Sequence, residues 1–264
     1  MLGSRVATAG VLLGIFLAAF LLASPRVWAV LCALAILPAA WEWGRLAHAS
    51  RLANAVFAAF LALAVLLLAA VPGLQSWTRL VFAIATAFWV IGAPLWLWRK
   101  PAVSRPLLMV LGAIVLVAAF GALAQFRETG SWLLIAIMAV VWVSDTAAFF
   151  CGRRFGRHKL APSISPAKTW EGVWGALISV AVYAGILIAF FPAVLPATYR
   201  GAAFVAAALV LAILGIVGDL FESQMKRYAG VKDSGSVLPG HGGILDRIDA
   251  LMPVLAAAAL LFGQ

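Results

Sequence analysis

The sequence predicts an all-α, polytopic integral membrane protein with about nine transmembrane helices. Its composition is the first reason: 66% of the 264 residues are apolar and only 11% are charged, whereas soluble domains average about 45–50% apolar and about 25% charged residues. The second reason is that the apolar residues form runs long enough to cross the roughly 30 Å hydrocarbon core of a bilayer. Helices are expected there because lipid offers no partner for unpaired backbone groups.

Nine apolar segments of about the required 17–25 residues follow one another along the chain. The second and the last are short unless their polar ends are included. The first resembles a signal peptide because Arg5 precedes it, but it is longer than the roughly 7–15 apolar residues of such a peptide, so a retained helix is predicted. The predicted spans are 6–23, 27–41, 52–71, 80–98, 107–125, 132–151, 172–191, 201–219 and 247–263.

The distribution of basic residues predicts how these spans are oriented. If the N-terminus lies in the cytoplasm and the spans alternate, fifteen of the nineteen lysines and arginines fall in cytoplasmic segments, in agreement with the enrichment of basic residues on that side. The C-terminus then lies outside a bacterial-type inner membrane. No nucleic-acid-binding motif or basic helical stripe accompanies the net charge of +10, so nucleic acid is not an expected partner.

The polar residues divide the chain into two predicted regions. Residues 1–131 form an N-terminal transmembrane bundle, and residues 132–264 form a C-terminal transmembrane region with cytoplasmic loops at 152–171 and 220–246. Apart from residues that flank the ends of spans, most ionisable side chains fall in the C-terminal region, residues 132–264. The candidate functional site is therefore expected on the cytoplasmic side of the C-terminal region.

In the N-terminal region only Glu42 and Arg45, within Trp41-Glu42-Trp43-Gly44-Arg45, are unusual. We interpret this segment as an aromatic anchor at the membrane interface with an ion pair between residues three apart. A role for Glu42 in the functional site is the alternative.

The candidate site centres on residues 219–249, which lie between two long apolar runs. This stretch holds five of the nine acidic residues, and ionisable groups at a membrane boundary are costly enough to be functional candidates. Asp219, Asp246 and Asp249 would repel one another without cations between them, and Mg²⁺ commonly takes one or two carboxylates together with substrate phosphates. The alternative is that each aspartate pairs separately with a basic side chain nearby: Lys226, Arg227 or Arg247.

Helical spacing within this stretch predicts two side-chain pairs. Asp219 and Ser223 are four residues apart and share a helix face, and Glu222 is four residues before Lys226. The second pair is interpreted as structural. Asp219 has no basic residue at the corresponding position.

A glycine-rich run, Pro239-Gly240-His241-Gly242-Gly243, follows in the same stretch. Glycine allows the backbone to approach a ligand closely, and a glycine-rich loop that opens a helix beside a basic residue is typical of phosphate binding. His241 is interpreted as a donor to phosphate or substrate, with a general base or a helix cap as alternatives. Lys232 precedes the run in a flexible polar segment that could close over a ligand.

The loop after the sixth span holds a second candidate segment. Ser165, Lys168 and Thr169 precede the seventh span, where a helix N-terminus offers free N–H groups to a phosphate and Lys168 adds a charge. Plain capping of the helix is the alternative. Asp145, near the end of the sixth span, either forms a salt bridge to a loop arginine or contributes to the site.

The motifs together resemble those of the phosphatidate cytidylyltransferase (CDP-diacylglycerol synthase) family. The likeness covers roughly the last 120 residues, and one departure is Ala147, where many relatives have glycine. The motifs are Ser223-x-x-Lys226-Arg227-x-x-x-x-Lys232-Asp233-x-Gly235-x-x-Leu238-Pro239-Gly240-His241-Gly242-Gly243-Ile244-x-Asp246-Arg247-Ile248-Asp249, Asp145 to Gly156, and Leu160 to Gly172.

This resemblance implies an integral membrane enzyme that makes CDP-diacylglycerol and pyrophosphate from CTP and phosphatidic acid with Mg²⁺. The family's metal-binding carboxylates map onto Asp219 and Asp246, with Asp249 as a further candidate ligand. The catalytic candidates are Asp219, Asp246, Lys226 and Lys168. The substrate-binding candidates are Ser165, Thr169, Ser223, Arg227, Lys232, His241, Gly242, Gly243 and Arg247. The secondary candidates are Asp145, Glu171 and Glu222. A second, monovalent cation and a homodimer stay open at this point.

Three alternative functions remain for a chain of this kind. An ion-coupled transporter would carry ionisable groups near the middle of its spans, whereas here they gather at predicted cytoplasmic ends. A purely structural membrane protein gives no reason for a glycine-rich loop among three carboxylates. A related transferase that acts on a polyprenol or another lipid would keep the same chemistry.

Overall fold

The computed structural model describes residues 10, 14, 16–71, 73–102, 104–129, 131–196, 198–237 and 242–263. The chain is a helical bundle, preceded by helical residues at 16–22. The elements are α1 (Pro25–Leu46), α2 (Arg51–Ala70), α3 (Gln75–Ala87), a π-helical turn (Phe88–Gly92), α4 (Ala93–Arg99), α5 (Arg105–Thr129), α6 (Ser131–Phe155), β1 (Lys159–Ala161), β2 (Ser165–Thr169), α7 (Trp170–Phe190), a 3₁₀ turn (Pro192–Val194), α8 (Ala202–Tyr228), α9 (Leu245–Ile248) and α10 (Leu251–Phe262).

The predicted all-α membrane architecture is confirmed. Within the described residues, seven helical spans are long and apolar enough to cross a bilayer, the third of them continuous from Ser76 to Arg99 through the π-helical turn. The total of nine stays a prediction, because part of the first predicted span, 6–23, lies outside the described residues. One feature was not predicted: β1 and β2 form a small antiparallel hairpin in the loop after α6.

The last predicted span, 247–263, differs from the others. It is divided into α9 and α10, and α10 has only 12 residues, which correspond to about 18 Å. Nearly all of its residues are buried against α3, α5, α6 and α8. Hydropathy alone does not distinguish such an interior helix from one that faces lipid.

Side-chain caps explain where several helices begin. Ser24 and Ser50 accept hydrogen bonds from the N–H groups of Val27 and Ala53, at 3.4 and 3.3 Å, as expected for hydroxyl residues at the N-cap. Pro25 occupies the first position of α1, where the missing N–H costs no hydrogen bond.

The π-helical turn and α4 present aromatic rings to α8. Phe88, Trp89 and Trp96 lie with their ring centroids 5.1 to 5.8 Å from neighbouring rings, and each makes an edge contact with the fully buried Phe221. Such turns are often found at functional sites. Here the rings support α8 immediately before Glu222.

Hydrogen bonds between distant segments show which loops share an end of the bundle. At one end Lys100 donates to the Ser163 hydroxyl and Arg227 to the carbonyl of Ile164. At the other end Arg127 donates to the carbonyl of Ala23, and Gln125 to that of Gly263. The loops predicted to be cytoplasmic therefore lie together, and residue 263 lies at the opposite end. Which end faces the cytoplasm stays a prediction.

Candidate active site

Three segments place polar side chains at the end of the bundle that holds the hairpin. The last turns of α8 carry Asp219, Glu222 and Lys226, α9 carries Asp246, and β2 carries Lys168. These residues come from separate parts of the sequence, and α8 and the hairpin bring them together. They form two linked ion-pair groups.

The first group is centred on Asp219. Its Oδ2 forms an ion pair with Lys168 Nζ, and its Oδ1 accepts a hydrogen bond of 3.4 Å from the Ser223 hydroxyl. The predicted shared face of Asp219 and Ser223 is confirmed. The cation for Asp219 comes from the hairpin, which helical spacing could not reveal. Both side chains of the ion pair are partly exposed, at 32% for Asp219 and 23% for Lys168, so the pair is open to a ligand.

The second group is centred on Lys226. Its Nζ lies 2.5 Å from Glu222 Oε2 and 2.7 Å from Asp246 Oδ1. The predicted Glu222–Lys226 pair is confirmed. Glu222 is fully buried and Lys226 nearly so, so the lysine compensates two carboxylates in a region poorly screened by water.

Asp246 is bound through both carboxylate oxygens. Oδ1 accepts from Lys226, and Oδ2 accepts from the N–H of Gly243 at 2.8 Å and from the N–H and hydroxyl of Ser234 at 3.0 Å each. Burial disfavours the charged form of Asp246, but these donors outweigh burial and hold its pKa below the usual value. The carboxylate is therefore held in one orientation as an anion.

Glu42 is part of this site, and its interpretation as an interfacial residue paired with Arg45 was wrong. The side chain is fully buried, and Glu42 forms no ion pair among the described residues. Its carboxylate accepts from the Ser234 hydroxyl at 3.0 Å and from the N–H groups of Ile244 and Leu245 at 3.0 and 2.9 Å. Sequence reasoning missed it because no nearby residue shows that α1 reaches residues 234–245.

Two glycines of the glycine-rich run, Gly242 and Gly243, lie against carboxylates of the chain itself. Gly242 has φ +82°, and a Cβ there would lie 2.8 Å from Asp246 Oδ2. A Cβ on Gly243 would lie 2.7 Å from the Glu42 carboxyl carbon. The close approach expected of these glycines is present, and the group approached is a protein carboxylate. His241 lies outside the described residues.

Asp249 and Asp145 lie close enough to Asp219 to interact with it electrostatically, and Lys168 acts on both. Asp249 accepts a hydrogen bond of 2.8 Å from the N–H of Ala250. Asp145 forms no ion pair with a loop arginine among the described residues, so the salt-bridge interpretation is not borne out there. Lys168, which pairs with Asp219, therefore also acts electrostatically on Asp145 and Asp249.

The hairpin that carries Lys168 is held by capping residues. The Thr169 hydroxyl accepts from the N–H of Gly172 at 3.2 Å and caps α7, so the predicted helix start is confirmed. Ser165 lies at the start of β2 and is half-buried. Glu171 accepts from the N–H of His158 at 3.2 Å and contacts its Nδ1 at 2.7 Å. These contacts close the hairpin, and Glu171 does not face Asp219.

The remaining basic candidates are exposed. Arg227 donates to the carbonyls of Ile164 and Val231 at 3.4 and 3.5 Å. Lys232 and Arg247 lie at the surface of the same end. Arg227 and Lys232 form no ion pair with a carboxylate of the described residues, so neither replaces Lys168 or Lys226 there.

The donor set fits Mg²⁺ better than a metal held by protein alone. The described residues contain no group of three or more acidic, histidine or cysteine side chains arranged as a metal cage. Asp219 offers a partly exposed carboxylate at the bundle end, and Asp249 and the anionic Asp246 add hard oxygen atoms. A few carboxylates completed by substrate phosphates are the usual surroundings of Mg²⁺.

Comparison with known proteins assigns this arrangement to a family. The model of the cytidylyltransferase family matches residues 3–263. The chain belongs to the cytidylyltransferase family. The match includes α1 and hence Glu42, whereas the sequence resemblance covered only the C-terminal half.

Curated relatives support this family membership over the whole length. The chain is 38% identical to a phosphatidate cytidylyltransferase of Pseudomonas aeruginosa over 97% of this chain and 96% of the relative. It is 33% identical to one of Haemophilus influenzae over 95% of each chain. A third, from Thermotoga maritima, is 39% identical over 52% of this chain and 51% of its own length.

Proposed function

We propose that the protein is a phosphatidate cytidylyltransferase of the bacterial inner membrane, which transfers CMP from CTP to phosphatidic acid and yields CDP-diacylglycerol and pyrophosphate for phospholipid synthesis. The observation that carries the proposal is the full-length relation to proteins of that name. The site residues cluster at one end of the bundle. This clustering agrees with a reaction between a soluble nucleotide and a membrane lipid. It also argues against an ion-coupled transporter, whose charges would lie near the midplane.

The reaction makes one bond and breaks one bond at phosphorus. A phosphate oxygen of phosphatidic acid attacks the α-phosphorus of CTP, the bond to the β-phosphate oxygen breaks, and pyrophosphate leaves with that electron pair. The attacking phosphate is already an anion at neutral pH, so no strong general base is needed. Catalysis consists mainly of positioning the reactants and stabilising negative charge.

Two lysines supply positive charge at defined places. Lys168 is held by Asp219 and Lys226 by Glu222 and Asp246. Lys168 and its partner Asp219 are both partly exposed, so Lys168 is assigned to phosphate contact. The more buried Lys226 is assigned to orienting Asp246. Arg227, Lys232, Arg247 and His241 are assigned to the triphosphate and the lipid phosphate, and Ser223 orients Asp219.

Asp219, Asp246 and Asp249 are the residues that would hold Mg²⁺. When bound there, Mg²⁺ would supply positive charge to offset the negative charge that develops on the phosphates during transfer. The chain's own contribution is to orient Asp246 through four donors and to leave Asp219 accessible. A second, monovalent cation and a homodimer belong to the same proposal. Cation dependence and the mass of the detergent-solubilised protein test them.

The test uses purified full-length protein in detergent with labelled CTP and phosphatidic acid, with and without Mg²⁺. The expected result is Mg²⁺-dependent formation of lipid-soluble cytidine with an equal amount of pyrophosphate. Turnover only with a polyprenyl phosphate or another phosphorylated lipid would replace the proposed substrate and keep the chemistry. Folded protein that binds CTP but turns over no lipid phosphate would overturn the proposal.

A further inference from the structure

Glu42 is a buried carboxylate that the proposed reaction does not use. It lies in α1, far in sequence from every residue assigned to the reaction, and its side chain is fully buried. No basic side chain within ion-pair distance compensates it in the part of the chain that the structure describes. A buried anion without a cation is stable only when hydrogen bonds replace its water.

Three donors, two from the loop between α8 and α9 and one from the first residue of α9, supply those hydrogen bonds. The donors are the Ser234 hydroxyl at 3.0 Å and the N–H groups of Ile244 and Leu245 at 3.0 and 2.9 Å. Hydrogen bonds to a charged group are stronger than neutral ones. The carboxylate therefore holds both ends of the loop, before and after the glycine-rich run.

Ser234 connects Glu42 to Asp246. Its hydroxyl oxygen lies 3.0 Å from Glu42 Oε2 and 3.0 Å from Asp246 Oδ2, and its N–H also donates to Asp246 Oδ2 at 3.0 Å. A hydroxyl carries one proton, so Ser234 donates to one of the two carboxylates at a time. The position of Asp246 thus depends on Ser234, whose position depends on Glu42.

Two glycines show how closely the loop surrounds Glu42. The three atoms nearest to a Cβ on Gly235 all belong to Glu42, with the carboxyl carbon at 2.7 Å and Cγ at 3.0 Å. A Cβ on Gly243 would lie 2.7 Å from the same carboxyl carbon. Larger side chains at either position would displace the carboxylate or the loop.

The residue next to Glu42 keeps α1 in place. Trp43 is buried, its Nε1 donates to the carbonyl of Leu108 in α5 at 2.8 Å, and its ring stacks on Phe221 of α8 with centroids 6.5 Å apart. The carboxylate therefore projects from a helix that is fixed against two others, as a side chain that orients a site requires.

From these contacts we infer that Glu42 is a positioning residue that fixes the loop between α8 and α9 and, through Ser234, the Asp246 carboxylate. It acts through other residues and does not touch the reacting atoms. Its effect on turnover rests on the proposed function, whereas its effect on the loop does not. The two effects are therefore measured separately.

The first experiment compares Glu42→Gln with the unsubstituted protein in detergent. The amide retains the shape of the carboxylate but has one acceptor oxygen in place of two. We expect amide hydrogen exchange at Ile244 and Leu245 to rise at least about tenfold and exchange in α2 to stay unchanged. The kcat/KM for CTP should fall at least about tenfold, with the KM for phosphatidic acid within about twofold. Unchanged exchange at both amides would overturn the inference.

Ser234→Ala tests the same link from the loop side and does not alter α1. It should lower kcat/KM for CTP at least about fivefold while the protein elutes as a single species, because the hydroxyl that lies between the two carboxylates is lost. Unchanged kinetics in this variant would show that Asp246 does not depend on Ser234. If the unsubstituted protein transfers no cytidylyl group, the proposed function fails, and the exchange experiment still decides the role of Glu42.

A substitution in two backgrounds provides the most specific test. Gly235→Ala should lower kcat/KM for CTP at least about tenfold in the otherwise unchanged chain, because its Cβ meets Glu42. In a Glu42→Ala background the same substitution should cause no further loss, since those atoms are gone. Equal losses in both backgrounds would mean that Gly235 is needed for another reason, and the inference would be wrong.

Discussion

Two lysine–carboxylate groups lie in one site but differ in burial. The Lys168–Asp219 pair is partly exposed, whereas Lys226 lies against the fully buried Glu222. Exposed pairs add little stability because water competes with them, while loss of one member of a buried group leaves an uncompensated charge. At the residue scale, the first pair is therefore expected to affect activity and the second to affect stability as well.

Asp219→Asn tests the exposed pair. The amide keeps the size of the side chain but removes the charge that faces Lys168 and the proposed Mg²⁺. We expect kcat/KM to fall at least about a hundredfold, with expression, membrane insertion and thermal unfolding close to those of the unsubstituted protein. Transfer activity and unfolding temperature in detergent are the measurements. Turnover near the original rate would remove Asp219 from the metal site.

Lys226→Met tests the buried group. The substitution leaves Glu222 and Asp246 without their shared cation, and removal of one member of a buried ion pair costs about 3–5 kcal/mol. We expect a clear fall in the unfolding temperature together with loss of transfer.

Glu222→Gln in the Lys226→Met background is the matched control. It neutralises the carboxylate that is most deeply buried in this group, so part of the lost stability should return while transfer stays absent. Thermal unfolding that does not improve would show that Glu222 is not the source of the cost.

At the element scale, close packing of α6 against α7 positions the hairpin between them. A Cβ on Gly172 would lie 2.9 Å from the carbonyl oxygen of Ala148, and one on Gly175 would lie 2.5 Å from Cys151 Cβ. Glycine at these positions lets the helix backbones approach, as small residues do between membrane helices. The strand with Lys168 leads directly into α7, so its position depends on this contact.

Gly175→Ala and Gly185→Ala form a matched pair within α7. The Gly175 substitution should destabilise the protein by about 1–3 kcal/mol because the added methyl group meets Cys151. Nothing lies within 4 Å of a Cβ on Gly185, so that substitution should be neutral or stabilising by up to about 1 kcal/mol. Thermal unfolding in detergent measures both. Equal effects would exclude close helix packing as the reason for Gly175.

At the scale of the whole molecule, the two ends of the bundle differ in charge and in the residues assigned to the site. The end that holds the hairpin and the loop between α8 and α9 carries most of the basic residues and all the assigned site residues that the structure describes. The opposite end holds the links from Arg127 and Gln125 to residues 23 and 263. The enrichment of basic residues in the cytoplasm predicts that the first end faces CTP.

Cysteine labelling tests this orientation. Arg157→Cys and Arg200→Cys lie at exposed positions of opposite ends and are each introduced after Cys32 and Cys151 have been replaced by alanine. A membrane-impermeant maleimide should label position 157 only in inside-out vesicles and position 200 only in right-side-out vesicles. The reverse pattern would invert the predicted topology and place the site away from cytoplasmic CTP.

Much of the site was predictable because it is encoded in local patterns. Hydropathy identifies spans, helical spacing correctly paired Glu222 with Lys226 and Asp219 with Ser223, and Thr169 precedes the helix that it caps. The pairing of Lys168 with Asp219 was not predictable, because it depends on a hairpin that brings β2 to α8. Glu42 was interpreted wrongly because a glutamate between two tryptophans looks the same at an interface and in a buried site.

By itself, the sequence determined the membrane class and seven of the helical spans, and it named the residues proposed to carry the chemistry, because composition, periodicity and motif spacing are properties of neighbouring residues. Only the tertiary structure decided that Lys168 pairs with Asp219 and Lys226 also with Asp246. It also decided that the short helix α10 lies inside the bundle and that Glu42 binds the loop before Asp246. The physical reason is that these features depend on how distant segments pack together. This holds for a helix that is buried on every side and for contacts between residues far apart in sequence. Packing leaves no periodic signal in a single chain.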